Sequence, residues 1–108
     1  MEKQIEIVIK EFALHQLKEE YDYFKTKHSL FYAEEFRLDF FKKIYSIVPF
    51  YKSFPECRFL RTKKKIYRNV VWENYLIVFK IKPELIEILT LFHTKQNPKR
   101  LKKLRRIK

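Results

Sequence analysis

The hydrophobic period of this chain changes from two to roughly 3.6 and back to two, and that order restricts the folds open to it. The opening segment alternates Ile5, Ile7 and Ile9 against Glu6, Val8 and Lys10. Alternation with β-branched residues predicts a half-buried strand. From Glu11 onward, Ala13, Leu14, Leu17, Tyr21 and Phe24 fall at helical spacings, and Lys18, Glu19, Glu20 and Asp22 take the wet side. Thr26–Ser29 interrupts this pattern, and Ser29 is placed to N-cap a second helix. That helix carries Ala33, Phe36, Arg37, Phe40, Ile44 and Ile47 along one side, with the stem of Arg37 at the stripe's edge. Pro49 ends it, because the residue before a proline is pushed out of the α region.

A connector, Phe50–Lys65, leads to three β-rich runs: Ile66–Trp72, Tyr75–Ile81 and Leu85–Phe92. Glu73-Asn74 and Lys82-Pro83-Glu84 separate them, and short polar gaps between such runs predict hairpins. The second hairpin can be registered on paper. A turn at Pro83-Glu84 pairs Lys82 with Leu85, Ile81 with Ile86, Lys80 with Glu87 and Phe79 with Ile88, which sets opposite charges and apolar residues face to face. By alternation His93 lies with Leu91, Leu89 and Glu87 and opposite Phe92 and Ile88, which aims it outward if the latter two pack on the helices. Glycine is absent, so each tight turn relies on Asn, Pro, Ser or charged residues.

The order β-α-α-β-β-β predicts an α+β domain, with a helical hairpin packed on one face of a small antiparallel sheet. The first strand joins at the edge or beside the last strand. A chain of 108 residues is one domain of ordinary size. Its lone Cys57 forbids an internal disulfide and fits a reducing compartment. One Cys and three scattered His do not make a zinc site, so no metal is expected. No signal-peptide core and no apolar run of membrane-spanning length is present, so a soluble, cytoplasmic protein without membrane contact is expected.

Charge is divided unevenly. Residues 1–57 hold 9 Lys/Arg against 10 Asp/Glu, and residues 58–108 hold 16 against 3, within a formal net charge of +12. The second half is a concentrated positive field of the kind that attracts phosphate backbones and acidic proteins. Arg61, Lys63, Lys64 and Lys65, with Lys95, Lys99 and Arg100, form a basic rim suited to gripping a nucleic-acid backbone. Residues 99–108 add Lys102 and Lys103 in a run of seven basic residues without an acid, with Leu101, Leu104 and Ile107 at every third position. That pattern fits a short amphipathic basic helix for RNA, DNA or an acidic protein surface, or a solubilising tail.

Arg68 and His93 are the candidates for chemistry. An arginine inside an apolar strand needs a partner or an opening to solvent. Arg68 either contacts phosphate on the open face of the sheet or pairs with Glu73, Glu87 or a helix acid. A histidine exchanges its proton near neutral pH and suits general acid or base work, but a strand-end histidine is also a common structural element. Cys57 has no His–Asp partner nearby in the sequence and reads as structural.

In element order and local wording the chain resembles the RelE/ParE toxin superfamily of type II toxin–antitoxin systems. Four matches carry the resemblance. They are Ala13 and Leu17 ahead of Tyr21-Asp22-Tyr23; Phe54-Pro55 after the second helix; Arg68 ahead of the Asn74-Tyr75 hairpin; and His93 followed by basic residues. Leu76 stands where many members carry an arginine, and Lys95 where arginine is usual. The resemblance implies a toxin domain over residues 1–98, with residues 99–108 as a basic C-terminal tail. It implies a cognate antitoxin as partner, with an acidic, partly disordered segment that folds over the basic face.

Two mechanisms follow from it. The first is inhibition of translation by ribosome-associated mRNA cleavage. There Arg68, His93 and Lys95 surround the scissile phosphate in a metal-independent endonuclease with no cofactor. The alternative is non-enzymatic inhibition of DNA gyrase, as in ParE-like members. Leu76 argues for the alternative, and the basic second half for the first. A third reading is a non-toxic basic nucleic-acid-binding module.

Overall fold

A computed structural model describes residues 5–96, 100–102 and 104. Strand β1 (Glu6–Ile9) leads into α1 (Glu11–Lys27) and α2 (Leu30–Ile47). A 3-10 helix, Val48–Ser53, then passes the chain to β2 (Tyr67–Trp72), β3 (Tyr75–Ile81) and β4 (Leu85–His93). The α+β order expected from the hydrophobic period is the order observed. The four strands form one sheet in the order β1-β4-β3-β2. β1 sits at the edge beside β4, as expected, but runs parallel to it, so the sheet is mixed rather than wholly antiparallel.

Local chemistry sets the helix boundaries. The hydroxyl of Ser29 accepts a hydrogen bond from the backbone N–H of Tyr32 at 3.0 Å and caps α2. α2 stops at Ile47, and Pro49 stands in the first turn of the 3-10 helix. Ala33, Phe36, Phe40, Ile44 and Ile47 of α2 are buried with Ala13 and Leu17 of α1 against Val70, Tyr75, Ile77, Phe79, Ile86, Ile88 and Leu91 of the sheet. Each fully buried large side chain here contributes about 1.5–3 kcal/mol of transfer free energy. Leu14 does not join this stripe; it is 42% exposed, because the buried line of α1 runs through Ala13 and Leu17.

The second face of the sheet is covered rather than open. Cys57 and Leu60 of the connector pack with Tyr67, Val78, Leu89 and Phe92 of the strands and with Leu101 and Leu104. Residues 100–102 and 104 have 3-10 conformation, whose three-residue repeat stacks Leu101 above Leu104 on one side. The same connector shields the outer edge of β2. Cys57 N–H donates to Tyr67 O at 2.8 Å, and Asn69 N–H donates to Pro55 O at 3.0 Å. An unpaired edge would invite pairing with another chain. Cys57 is buried, and that burial pushes its thiol above the ordinary cysteine range, which suits a structural residue.

The paper register of the second hairpin matches: Phe79 faces Ile88, Lys80 faces Glu87 and Ile81 faces Ile86. Beyond it the register shifts between Val78 and Phe79, so that Val78 faces Thr90 and Leu89 is the extra residue of a β-bulge. The bulge reverses the alternation assumed for the end of β4. Ile88 and Leu91 lie on the helix side, and Leu89 and Phe92 lie on the second face. His93, paired with Tyr75, therefore points toward the helices instead of outward.

Without glycine, left-handed turn positions fall to ordinary residues: Lys65 has φ 52° and Glu73 has φ 53°. A Cβ costs roughly 1–2 kcal/mol there. Lys65→Gly and Glu73→Gly are each expected to stabilise the domain by about 0.5–1 kcal/mol once the added backbone freedom of glycine in the unfolded chain is set against the relieved strain. Urea denaturation midpoints check this, and a loss of stability in both variants would refute it.

Candidate functional site

The hairpin joining β2 to β3 and the last residue of β4 meet the facing ends of α1 and α2 around a cleft of about 710 Å³. Its floor is aromatic. Tyr32 packs on Phe24 at 5.0 Å between ring centres, Phe24 on Phe36 at 4.8 Å, and Phe36 on Trp72 at 5.2 Å. Trp72 continues to Tyr75 at 5.7 Å, and Tyr75 to His93 at 5.1 Å in an edge-on contact. Glu19, Glu20, Glu35, Asp39 and Glu73 supply the carboxylates of the wall.

Tyr75 ties the floor to α1, its hydroxyl donating to Glu20 Oε2 at 3.0 Å. Burial, then the charge of Glu20 and this hydrogen bond, raise the Tyr75 pKa well above the ordinary 10.0. A tyrosine whose folded pKa is raised contributes stability that is present below pH 10 and lost as pH climbs. Stability is expected to fall more steeply from about pH 9 to 11 in the native chain than in Tyr75→Phe, as read by urea denaturation along the pH series. Equal slopes would remove Tyr75 from the account.

The residues expected to act together are not assembled. Arg68 lies at the start of β2, where its Nε donates to Lys65 O at 2.7 Å and its Nη1 to Lys52 O at 2.6 Å and Phe54 O at 2.9 Å. Neither the phosphate-facing surface nor the carboxylate partners expected for it are what it meets: its side chain lies on the helix side, like Val70, and clamps backbone carbonyls of the connector. Arg68 is opposite Phe79 and His93 is opposite Tyr75, four positions away along β3. That is about 13 Å at roughly 3.3 Å per residue. Lys95 does lie beside His93, its backbone N–H donating to His93 Nδ1 at 3.1 Å. In that bond Nδ1 is the acceptor.

Of the basic rim, Arg61, Lys63, Lys64 and Lys65 are exposed on the loop before β2, at the opposite end of the sheet from the cleft. Arg100 and Lys102 are exposed beside the buried Leu101 and Leu104. Lys99 and Lys103 lie outside the described residues. Glu87, placed opposite Lys80 on paper, makes its ion pairs with Lys10 at 3.6 Å and Lys82 at 3.2 Å, and Lys80 lies over the ring of Tyr67.

Two features escaped the sequence reading. The cleft is one. The other is an exposed stripe on α2: Phe31 is 73% exposed, Leu38 50% and Tyr45 65%. Their seven-residue spacing places them on one outward line and was visible in the sequence as a second apolar stripe beside the one that became core. No helix among the described residues is long and apolar enough to cross a membrane.

Comparison with known proteins gives the site its context. No curated protein matches the chain. A solved chain described as "Chromosomal ParDE TA system from P. aeruginosa" superposes with a TM-score of 0.70 at 15% sequence identity, covering 83% of this chain and 96% of that one, which establishes a shared fold. The family described as "ParE toxin of type II toxin-antitoxin system, parDE" matches residues 7–98. With nearly the whole described sheet and helical hairpin inside that match, the chain belongs to the ParE toxin family of type II toxin–antitoxin systems.

Proposed function

We propose that this toxin acts by binding rather than by cutting, that its target is DNA gyrase, and that a cognate antitoxin silences it. The observation that carries this reading is the setting of His93. A phosphate-cleaving site needs cations converging on the developing negative charge. His93 instead lines a cleft with five carboxylates. Those groups repel an RNA phosphate. The guanidinium expected to assist, Arg68, is occupied with three carbonyls at a distance. Leu76, where many relatives carry arginine, is partly buried against the second core and offers no replacement cation. The exposed loop Arg61–Lys65 serves in this reading as a docking element for an acidic surface, including an acidic antitoxin segment.

The test is a pair of assays with the purified chain. Gyrase-catalysed supercoiling of a relaxed plasmid is expected to fall with increasing toxin, while an mRNA translated in a reconstituted system stays intact. In cells, thymidine incorporation is expected to drop before methionine incorporation after induction. Cleaved mRNA with unaffected supercoiling would replace this reading with ribosome-associated endonuclease activity. No effect in either assay and unimpeded growth would leave a basic binding module.

A further inference from the structure

We infer that the cleft at the hairpin end of the sheet is a recognition site for an organic cation, specifically the guanidinium of an arginine side chain presented by a partner protein. The first ground is charge. The chain holds 25 Lys/Arg among 108 residues, yet neither residue type lines the cleft, whereas five acidic side chains do. Glu35, Asp39 and Glu73 have no hydrogen-bond or ion-pair partner among the described residues. A wall of five carboxylates, three of them without such a partner, on a protein of net charge +12 is a local reversal of the prevailing field.

The second ground is the floor. Phe36 and Tyr75 are buried, while Tyr23 and Tyr32 remain 54% and 46% exposed beside them. Aromatic faces attract cations through the ring quadrupole, and carboxylates at the rim add charge-assisted hydrogen bonds. A planar guanidinium uses both at once, stacking on a ring and forking onto a carboxylate; a compact ammonium uses them less well. No group of three His, Cys, Asp or Glu side chains among the described residues converges in the manner of a metal site, so the donor arrangement favours an extended organic cation over a metal ion.

The third ground is size and setting. A volume of about 710 Å³ exceeds what one side chain fills and leaves room for the backbone that carries it. Leu30 and Phe31, 56% and 73% exposed, directly precede the cleft residue Tyr32 in the chain, and their exposed apolar surface suits a protein partner better than a free polyamine. The inference is independent of the toxin's target, since it concerns the chemistry of the cleft alone.

Trp72 lines the cleft and is the chain's only tryptophan, so it reports on the site without labelling. The full chain is titrated with acetyl-alanyl-arginyl-alaninamide, with the same peptide carrying neutral citrulline, and with spermidine. Trp72 emission and its indole N–H resonance are followed. The arginine peptide is expected to give a saturable change that the citrulline peptide does not. Glu35→Gln combined with Asp39→Asn, both at exposed positions, is expected to weaken it by up to about five-fold per lost ion pair while leaving the thermal transition in place. Flat titrations in both readouts, or equal responses to arginine and citrulline, overturn the proposal. Saturation by spermidine alone overturns the assignment to a protein side chain. Because none of these readouts involves gyrase or mRNA, failure here is separable from failure of the proposed target.

Discussion

Arg68→Ala is expected to lower the stability of the domain by about 2–4 kcal/mol, with a fall in melting temperature of roughly 10 °C or more. The guanidinium holds three backbone carbonyls, those of Lys52, Phe54 and Lys65, at 2.6–2.9 Å. These belong to the 3-10 helix, to the residue that follows it and to the loop before β2. Hydrogen bonds to a charged group contribute about 1.5–3 kcal/mol each when measured singly, and three sharing one guanidinium add less than their sum. Partial solvent exposure of the group reduces the figure further. Arg68→Lys is expected to recover only part of the loss, because an ammonium on a flexible stem does not match three acceptors spaced for a planar fork. Thermal and urea unfolding measure both variants. The two roles of Arg68 separate cleanly: a well-folded Arg68→Ala chain of native stability that has lost toxicity restores the catalytic assignment and removes the clamp.

Gln16→Ala is expected to cost a similar amount, about 2–4 kcal/mol, by a different route. β1 ends at Ile9, opposite Ile88, so the outer edge of β4 beyond that point has no strand beside it. The Oε1 of Gln16 takes the place of the missing strand, accepting the Leu91 N–H at 3.0 Å and the Thr90 hydroxyl. Thr90 is 1% exposed and Leu91 3%, so deletion of the amide leaves two donors away from water. An orphaned buried donor costs about 1–3 kcal/mol. Among the described residues only the oxygen of the amide is used, which makes Gln16→Glu the informative control. It keeps the acceptor and is expected to restore most of the stability at neutral pH. If Gln16→Ala unfolds at the native urea midpoint, water reaches the β4 edge and the cap is dispensable.

The fold was legible because each segment declares its period and its ends. Ser29, Pro49 and the register through Lys80 and Glu87 can be placed from the sequence, since each follows from interactions within a few residues or across one turn. What stayed hidden depended on contacts distant in the chain. The clamp of Arg68 on Lys52 O and Phe54 O spans 16 and 14 residues, and the cap of Gln16 on Leu91 spans 75. Sequence pattern names an arginine inside an apolar strand but not the carbonyls that will surround it. The cleft was hidden for the same reason, since its carboxylates come from both helices and the hairpin and read, one by one, as solvated helix positions. His93 was assigned to the wrong side by a single structural event, because alternation holds only while a strand keeps step with its neighbour.

That event has a bearing on how such a gene can change. One residue more in β4 than in β3, at Leu89, is what places His93 above the aromatic floor and Phe92 against Leu101 and Leu104. Loss of a single codon there would leave the strand nearly as long and the composition almost unchanged. It would nevertheless exchange the faces of everything downstream, sending the imidazole into an apolar layer and a phenyl ring into the carboxylate wall. Point substitutions can adjust the cleft by degrees, whereas a one-residue deletion at this place would rewrite it in one step.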